Sequence, residues 1–355
     1  MGASERLLYI DRLKGIAIIL VVCGHFIQYN VADFKHNDLY SFIYSFHMPL
    51  FMFISGYVAQ KTTSIKIFEN YAGFLGKKAL GLLLPFFAWP LVVDRFFLVK
   101  EADFSFFETT TRLITSPQGG LWYLWFLFFL VLLHSVFLYF STRFNYKNNL
   151  IFDAVIVSVM LGFLFSIKLL HVVNYIDSFI LYYLFFYLGI IISKYDFFTR
   201  YILHKNTFTT SLLIFCLLVG KYEFDNQSST NLGLKLVIAV AAIVSLYHMT
   251  RVFQFNQLIE KFVQFCGQNS IVIYTTHFTV IHLFADQYLL RDLNFLLLLI
   301  VTLTFSLIVI GFCFVVLKIV ALSPFFNLVL YGNQKGLFSR KPENVTILSG
   351  TVIND

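Results

Sequence analysis

The sequence predicts an all-α polytopic membrane protein with about ten transmembrane helices and both termini in the cytoplasm. Hydrophobic residues make up 59% of the 355 residues and charged residues only 13%, a balance that suits a surface covered by lipid. Apolar runs long enough to cross a bilayer core of about 30 Å recur along the chain. Because these runs lack the alternation of barrel strands, helices are the expected spanning elements.

The apolar runs give the order of the predicted spans. They lie at residues 13–31, 39–60, 80–99, 120–141, 150–168, 175–193, 207–220, 232–250, 269–289 and 294–317. With the N-terminus inside, most Lys and Arg residues fall in the cytoplasmic connections, which fixes the predicted orientation. We therefore expect a membrane domain over residues 1–323 and a cytoplasmic tail over residues 324–355. Residues 61–79 are expected to lie as an amphipathic segment on the cytoplasmic membrane face.

Charge and cysteine usage exclude several kinds of site. The net charge of +7 is divided among the loops of a membrane protein, so it does not indicate nucleic acid binding. The four cysteines lie far apart, without CxxC or His/Cys ligand spacing, and predict neither a disulfide framework nor a metal site. Membrane lipid is the partner that the composition does imply.

The first span, "RLKGIAIILVVCGHFIQYN", carries a cation and an imidazole on one helix face. Lys14 and His25 are eleven residues apart, which at 3.6 residues per turn brings them to within about 20° of each other. Orientation in the membrane is enough to explain Lys14. An ionisable group deep in a span is more often functional than structural, so His25 is the leading candidate for a chemical role.

Later spans add further polar candidates. In "SFHMPLFMFISGYVAQK", His47 is expected at the same membrane depth as His25, and Ser55 precedes a glycine that allows close approach. In "NSIVIYTTH", Tyr274 and His277 lie one turn apart on nearly one face. The aromatic candidates are Trp122 and Trp125, for which an interfacial or packing role is equally open. Lys61, Lys77 and Lys78 form a basic rim that suits phosphates but also follows from orientation alone.

These residues favour a polyanionic donor entering from the cytoplasm, without choosing between acyl transfer and proton-coupled transport. Five sequence motifs, in this order along the chain, favour one of these two functions by their resemblance to a known family: "YIDRLKGIAIILVVCGHF", "FHMPLFMFISGYV", "KKALGLLLPFFAW", "GGLWYLWFLFFL" and "GQNSIVIYTTH". Together they resemble the acyltransferase-3 family of integral-membrane O-acyltransferases, and most closely its fucose 4-O-acetylase-like, glycan-modifying branch. The resemblance covers residues 8–320.

The resemblance implies an enzyme of the bacterial cytoplasmic membrane that transfers an acetyl group from cytoplasmic acetyl-CoA to a sugar hydroxyl. The acceptor would be a surface polysaccharide or its lipid-linked precursor. The family motif of a basic residue, ten residues and a histidine falls on Lys14 and His25; Lys replaces the common Arg and loses its bidentate geometry. The pattern "FISGY" places Ser55 at the donor site.

A mechanism follows as a hypothesis. Lys14 and the rim lysines would hold the CoA phosphates, and His25 would act as general base or transient acyl carrier. His47, Tyr274 and His277 would orient His25, stabilise the oxyanion or position the acceptor. Trp122 and Trp125 would stack on the sugar. The opposing class is a proton-coupled carrier or flippase of glycan intermediates, in which the histidines relay protons.

Overall fold

The computed structural model describes residues 7–63, 65–97, 105–117, 121–144, 149–171, 173–286, 290 and 293–334. Every regular element among these residues is helical, which confirms the all-α prediction for this part of the chain. The helices are α1 Leu8–Asn30, α2 Asp38–Tyr44, α3 His47–Thr62, α4 Tyr71–Ala88, α5 Arg95–Phe97, α6 Phe106–Thr115, α7 Trp122–Arg143, α8 Leu150–Leu169, α9 Ile176–Lys194, α10 Asp196–Ile202, α11 Lys205–Leu218, α12 Ser229–Val252, α13 Gln257–Gln268, α14 Ser270–Leu283, α15 Phe295–Val320 and α16 Pro324–Tyr331.

Helix α1 lies at the centre of the bundle. Its side chains are buried on several faces, and it packs against α3, α12, α13, α14 and α15. Hydrogen bonds identify which elements meet at each end of α1. Arg12 donates to the Thr250 carbonyl of α12, whereas the Asn30 carbonyl accepts from the Leu290 amide. These two ends of the bundle are named below the Lys14 end and the Asn30 end.

All ten predicted spans fall on helices, although not all of the helices are long. Among the described residues, seven helical stretches are long and apolar enough to cross a membrane, or eight if the bent pair α10 and α11 is one span. Helix α14 has only 14 residues, about 21 Å at 1.5 Å per residue, and follows α13 after a break at Asn269. The count of ten and the positions of the termini therefore stay predictions, and residues 1–6 and 335–355 lie outside the described residues.

Helix α4 begins earlier than the sequence predicts. The amphipathic surface segment expected over residues 61–79 is instead divided: α3 ends at Thr62, and α4 begins at Tyr71. Lys77 and Lys78 thus lie almost two turns inside a continuous helix. The asparagine before the helix explains the early start, because the Asn70 side chain accepts from the Gly73 amide as an N-cap.

Glycines allow the central helices to touch backbone to backbone. A Cβ atom at Gly56 of α3 would overlap the Phe186 carbonyl oxygen of α9, and one at Gly189 would overlap the Phe53 carbonyl oxygen. Gly267 of α13 meets the backbone of α1 at Asp11 in the same way. Such close approach increases dispersion contacts between helices in a membrane, where apolar burial alone gives little driving force.

The described part of the predicted tail, residues 324–334, is packed into the bundle. Leu330 and Tyr331 of α16 are buried, and the Trp89 indole N–H donates to the Leu330 carbonyl at 2.7 Å. The Tyr331 hydroxyl lies 3.1 Å from the Thr276 hydroxyl of α14. The domain boundary at residue 323 and the cytoplasmic location of the tail stay predictions. Packing against α4 and α14 nevertheless extends beyond residue 323.

The α3–α9 contact can be tested with one methyl group. We expect Gly56→Ala to destabilise the protein by about 1–3 kcal/mol, because the added Cβ forces two backbones apart. Gly162→Ala is the matched control, since nothing lies within 4 Å of a Cβ at that helical glycine; it should leave stability unchanged or raise it by up to about 1 kcal/mol. Thermal unfolding in detergent measures both. Equal effects of the two substitutions would contradict the assigned contact.

Candidate active site

His25 lies half-buried on α1, and the Gln28 side chain fixes its tautomer. The His25 Nδ1 atom is 2.9 Å from the Gln28 Oε1 atom, which can only accept, so Nδ1 carries the hydrogen. The Tyr44 hydroxyl donates to the same oxygen at 3.3 Å, which agrees with that assignment. The Nε2 atom of a neutral His25 is therefore left with an available lone pair. Because Gln28 is neutral, this hydrogen bond brings no negative charge that would favour an imidazolium.

His277 of α14 faces His25 across the helix contact. The two ring centroids are 5.2 Å apart. The His277 Nδ1 atom donates to the Ile273 carbonyl at 2.9 Å, so its Nε2 atom also carries a lone pair. That Nε2 atom is buried and has no hydrogen-bond partner among the described residues. A buried acceptor without a partner is costly, which makes it a candidate for binding a substrate proton donor.

His47 joins the same group through two intermediate side chains. Its Nδ1 atom donates to the Ile43 carbonyl at 2.8 Å, and its ring lies 4.5 Å from the Tyr44 ring. Tyr44 in turn donates to Gln28, so ring packing and then two hydrogen bonds connect His47 to His25. All three histidines present the same tautomer, with Nδ1 protonated and Nε2 free to accept.

Tyr274 links α14 to α7 and α3. The Tyr274 hydroxyl accepts from the Tyr123 amide at 3.2 Å and keeps its own hydrogen available for donation. The Tyr123 hydroxyl lies 2.7 Å from that of Ser55, which also donates to the Phe51 carbonyl. Ser55 is thus occupied by protein partners. A pocket of about 30 Å³ lies beside these hydrogen bonds and is lined by Met48, Phe51, Tyr123, Ser270, Ile271 and Tyr274.

The two predicted sugar-binding tryptophans differ in their surroundings. Trp122 is half-buried and stacks on the Tyr182 ring with centroids 4.9 Å apart. Trp125 is buried, packs against Phe86 at 5.2 Å and directs its indole N–H to the Tyr175 hydroxyl. The geometry leaves Trp122 the better placed of the two to meet a ligand.

The predicted phosphate-binding lysines lie on α1, α3 and α4. Lys14 is half-buried, Lys61 is exposed at the end of α3, Lys77 is exposed and Lys78 lies over the Phe74 ring at 5.7 Å. Arg12, the other cation near this end of α1, is already committed, because it pairs with Glu260 and donates to the Thr250 carbonyl.

Sequence reasoning missed the partners that orient His25. Gln28 lies three residues after His25 on α1, a spacing at which helical side chains meet, so this pair was detectable. Tyr44 was not, because its contact depends on how α2 packs against α1. His134 is buried on α7, and neither of its ring nitrogens has a hydrogen-bond partner among the described residues. Among the residues that the structure describes, no three His, Cys, Asp or Glu side chains form a group that could bind a metal.

The helical bundle and its central histidines suit either acyl transfer or a proton relay, and comparison with known proteins identifies the family. Residues 7–321 match the family described as an acyltransferase domain, so the chain belongs to the acyltransferase-3 family and resembles multi-pass membrane acyltransferases. No solved structure matches the chain.

Two curated relatives share part of the sequence. Nodulation protein NolL of Sinorhizobium fredii (strain NBRC 101917 / NGR234) is 35% identical over 147 residues, which is 39% of this chain and 39% of the relative. Nodulation protein NolL of Mesorhizobium japonicum (strain LMG 29417 / CECT 9101 / MAFF 303099) is 34% identical over 131 residues, covering 35% of this chain and 34% of the relative. The match therefore spans well under half the length of these relatives.

The role of Gln28 can be separated from substrate binding. We expect Gln28→Leu to lower kcat by about tenfold or more while leaving KM for the acyl donor within about twofold, because only the His25 tautomer and orientation are lost. Tyr44→Phe, which removes the second donor to Gln28, should cost less. Steady-state kinetics of the purified protein measure both, and a selective rise in donor KM would show that Gln28 binds the donor instead.

Proposed function

We propose that the protein is a bacterial cytoplasmic-membrane O-acetyltransferase that transfers an acetyl group from cytoplasmic acetyl-CoA to a sugar hydroxyl of a surface polysaccharide or its lipid-linked precursor. The observation that carries the proposal is the neutral His25 ring, which has Nδ1 bonded to Gln28 and lies 5.2 Å from the His277 ring, in a chain that belongs to an acyltransferase family. A base in this position suits proton removal from a hydroxyl.

The donor side is assigned to the Lys14 end, which the positive-inside rule places in the cytoplasm. The proposed phosphate contacts are Lys14, Lys61, Lys77 and Lys78, whereas Arg12 pairs with Glu260. From Lys14 to His25 the helix rises about 16 Å, a path that the flexible pantetheine arm can follow.

The proposed reaction balances without another reactant. The sugar oxygen attacks the thioester carbonyl carbon while the Nε2 atom of His25 takes the hydroxyl proton. The C–S bond then breaks, and the CoA thiolate recovers that proton from His25. Tyr274 can donate its hydroxyl hydrogen to the oxyanion, because its oxygen accepts from Tyr123. His277 and His47 carry free acceptors, which suits holding sugar hydroxyls. In the alternative course, Nε2 of His25 itself carries the acetyl group.

Loss of His25 tests the proposal directly. In nanodiscs with acetyl-CoA and a lipid-linked glycan fraction, His25→Ala should lower the rate of CoA release and glycan acetylation by at least about 100-fold. His36→Ala is the control, since His36 lies exposed near the Asn30 end and contacts Asp33. Undiminished acetylation in His25→Ala would remove His25 from the mechanism. Absence of acetyl transfer by the wild-type protein would favour the carrier alternative.

The phosphate role of Lys14 has its own signature. Lys14→Ala should raise KM for acetyl-CoA by about tenfold and leave KM for the acceptor nearly unchanged, because charge-assisted contacts to phosphate are lost. Lys14→Arg should restore most of the affinity. Lys205→Ala, at an exposed lysine opening α11, controls for net charge. A larger change in the acceptor KM would assign Lys14 to the other substrate.

A further inference from the structure

Lys235 is a cation that the proposed chemistry leaves unexplained. It lies half-buried on the second turn of α12, at the Asn30 end of the bundle. Its Nζ atom is 5.6 Å from the centroid of the Tyr222 ring. No carboxylate in the described ranges forms an ion pair with it.

Simple snorkelling does not account for this position. A lysine near a span end usually extends into the interface, and cations are disfavoured on the side opposite the cytoplasm. Here the ammonium lies over a tyrosine that is only 6% exposed. Intramembrane cations generally face the bundle interior or a water-filled cavity, where they mark a substrate or ion path.

The surroundings of Lys235 resemble a carbohydrate-binding surface. Phe224, two residues after Tyr222, packs on the Tyr40 ring with centroids 4.8 Å apart, and Tyr40 stacks on Tyr44 at 4.0 Å. Aromatic faces with hydroxyl groups suit sugar rings, which present both apolar C–H faces and polar edges. Tyr44 in turn contacts the His47 ring at 4.5 Å and donates to Gln28, which bonds His25.

Neighbouring contacts hold this surface in place. The Phe224 amide donates to the Ser41 hydroxyl at 3.1 Å, and Phe224 packs on the Tyr44 ring at 5.1 Å. At the surface, Lys35 pairs with Asp225 at 3.8 Å. The loop that carries Tyr222 is therefore tied to α2 beside His47, which preorganises the site.

We propose that Lys235 binds a negatively charged group of the acceptor, so that the protein acts on anionic glycans, carrying a phosphate or a carboxylate, rather than on neutral ones. The inference rests on the proposed function, because it places the acceptor at the Asn30 end, opposite acetyl-CoA. The anion at Lys235 would hold the sugar while one hydroxyl reaches His25.

Ligand-induced stabilisation tests this without turnover. The protein in nanodiscs is first saturated with CoA to occupy the donor phosphate site. Its Tm is then measured against rising concentrations of neutral and anionic sugars. The neutral ligands are the methyl glycosides of glucose, galactose and fucose; the anionic ligands are the 1-phosphates of these three sugars and the uronates of glucose and galactose. We expect at least one anionic form to bind about tenfold or more tightly than its neutral counterpart. Comparing phosphate with carboxylate forms identifies the source of the charge.

Variants decide whether Lys235 provides the contact. Lys235→Gln should raise the apparent Kd of the preferred anionic sugar by about tenfold and abolish the preference, and Lys235→Arg should restore it. Lys221→Gln, at an exposed lysine before the same loop, should behave as wild type. No anion preference in the wild-type protein, or an unchanged preference in Lys235→Gln, would overturn the proposal. Stabilisation by CoA is read separately, so failure of the donor site is distinguishable from failure at Lys235.

Discussion

A polar atom inside a membrane bundle must find its hydrogen-bond partner within the protein, and this constraint shapes the whole site. It explains why the Nδ1 atoms of His47 and His277 each donate to a backbone carbonyl four residues earlier. It also explains why the Nδ1 atom of His25 donates to the Gln28 side chain. Each bond uses one ring nitrogen and leaves the other with a lone pair. The fold thereby supplies three rings of the same tautomer, and a sugar hydroxyl bound as proposed would offset the cost of the unpaired, buried Nε2 atom of His277.

The sequence was sufficient for those features that depend on helical spacing. Lys14 and His25 on one face, and Tyr274 beside His277, follow from the period of 3.6 residues. The helical period does not predict which helices contact one another. The contact of His277 with His25, the donation from Tyr44 to Gln28 and the burial of Trp125 all depend on packing between segments distant in sequence. The early start of α4 was visible only as a capping asparagine, Asn70, before the first turn.

The "FISGY" block shows how two roles can share a short sequence. The Ser55 hydroxyl connects α3 to Tyr123 and through it to Tyr274, near the histidines. The adjacent Gly56 serves packing instead, because α9 approaches so closely that no side chain fits there. Tyr57 turns toward the Lys14 end, where its hydroxyl lies 2.8 Å from that of Tyr9. The block therefore joins the reactive centre to the helix contacts that hold it.

Packing of α16 against α4 has a consequence for how the protein is made. Trp89 and its partner Leu330 are 241 residues apart, and Gly81 meets Gly332 across the same contact. During synthesis α4 leaves the ribosome long before its partner, so one side of the helix stays uncovered while most of the remaining spans are inserted. The face of α14 that carries Thr276 is likewise completed only by Tyr331. Packing around the candidate active site is thus completed only after α15, when α16 has been translated.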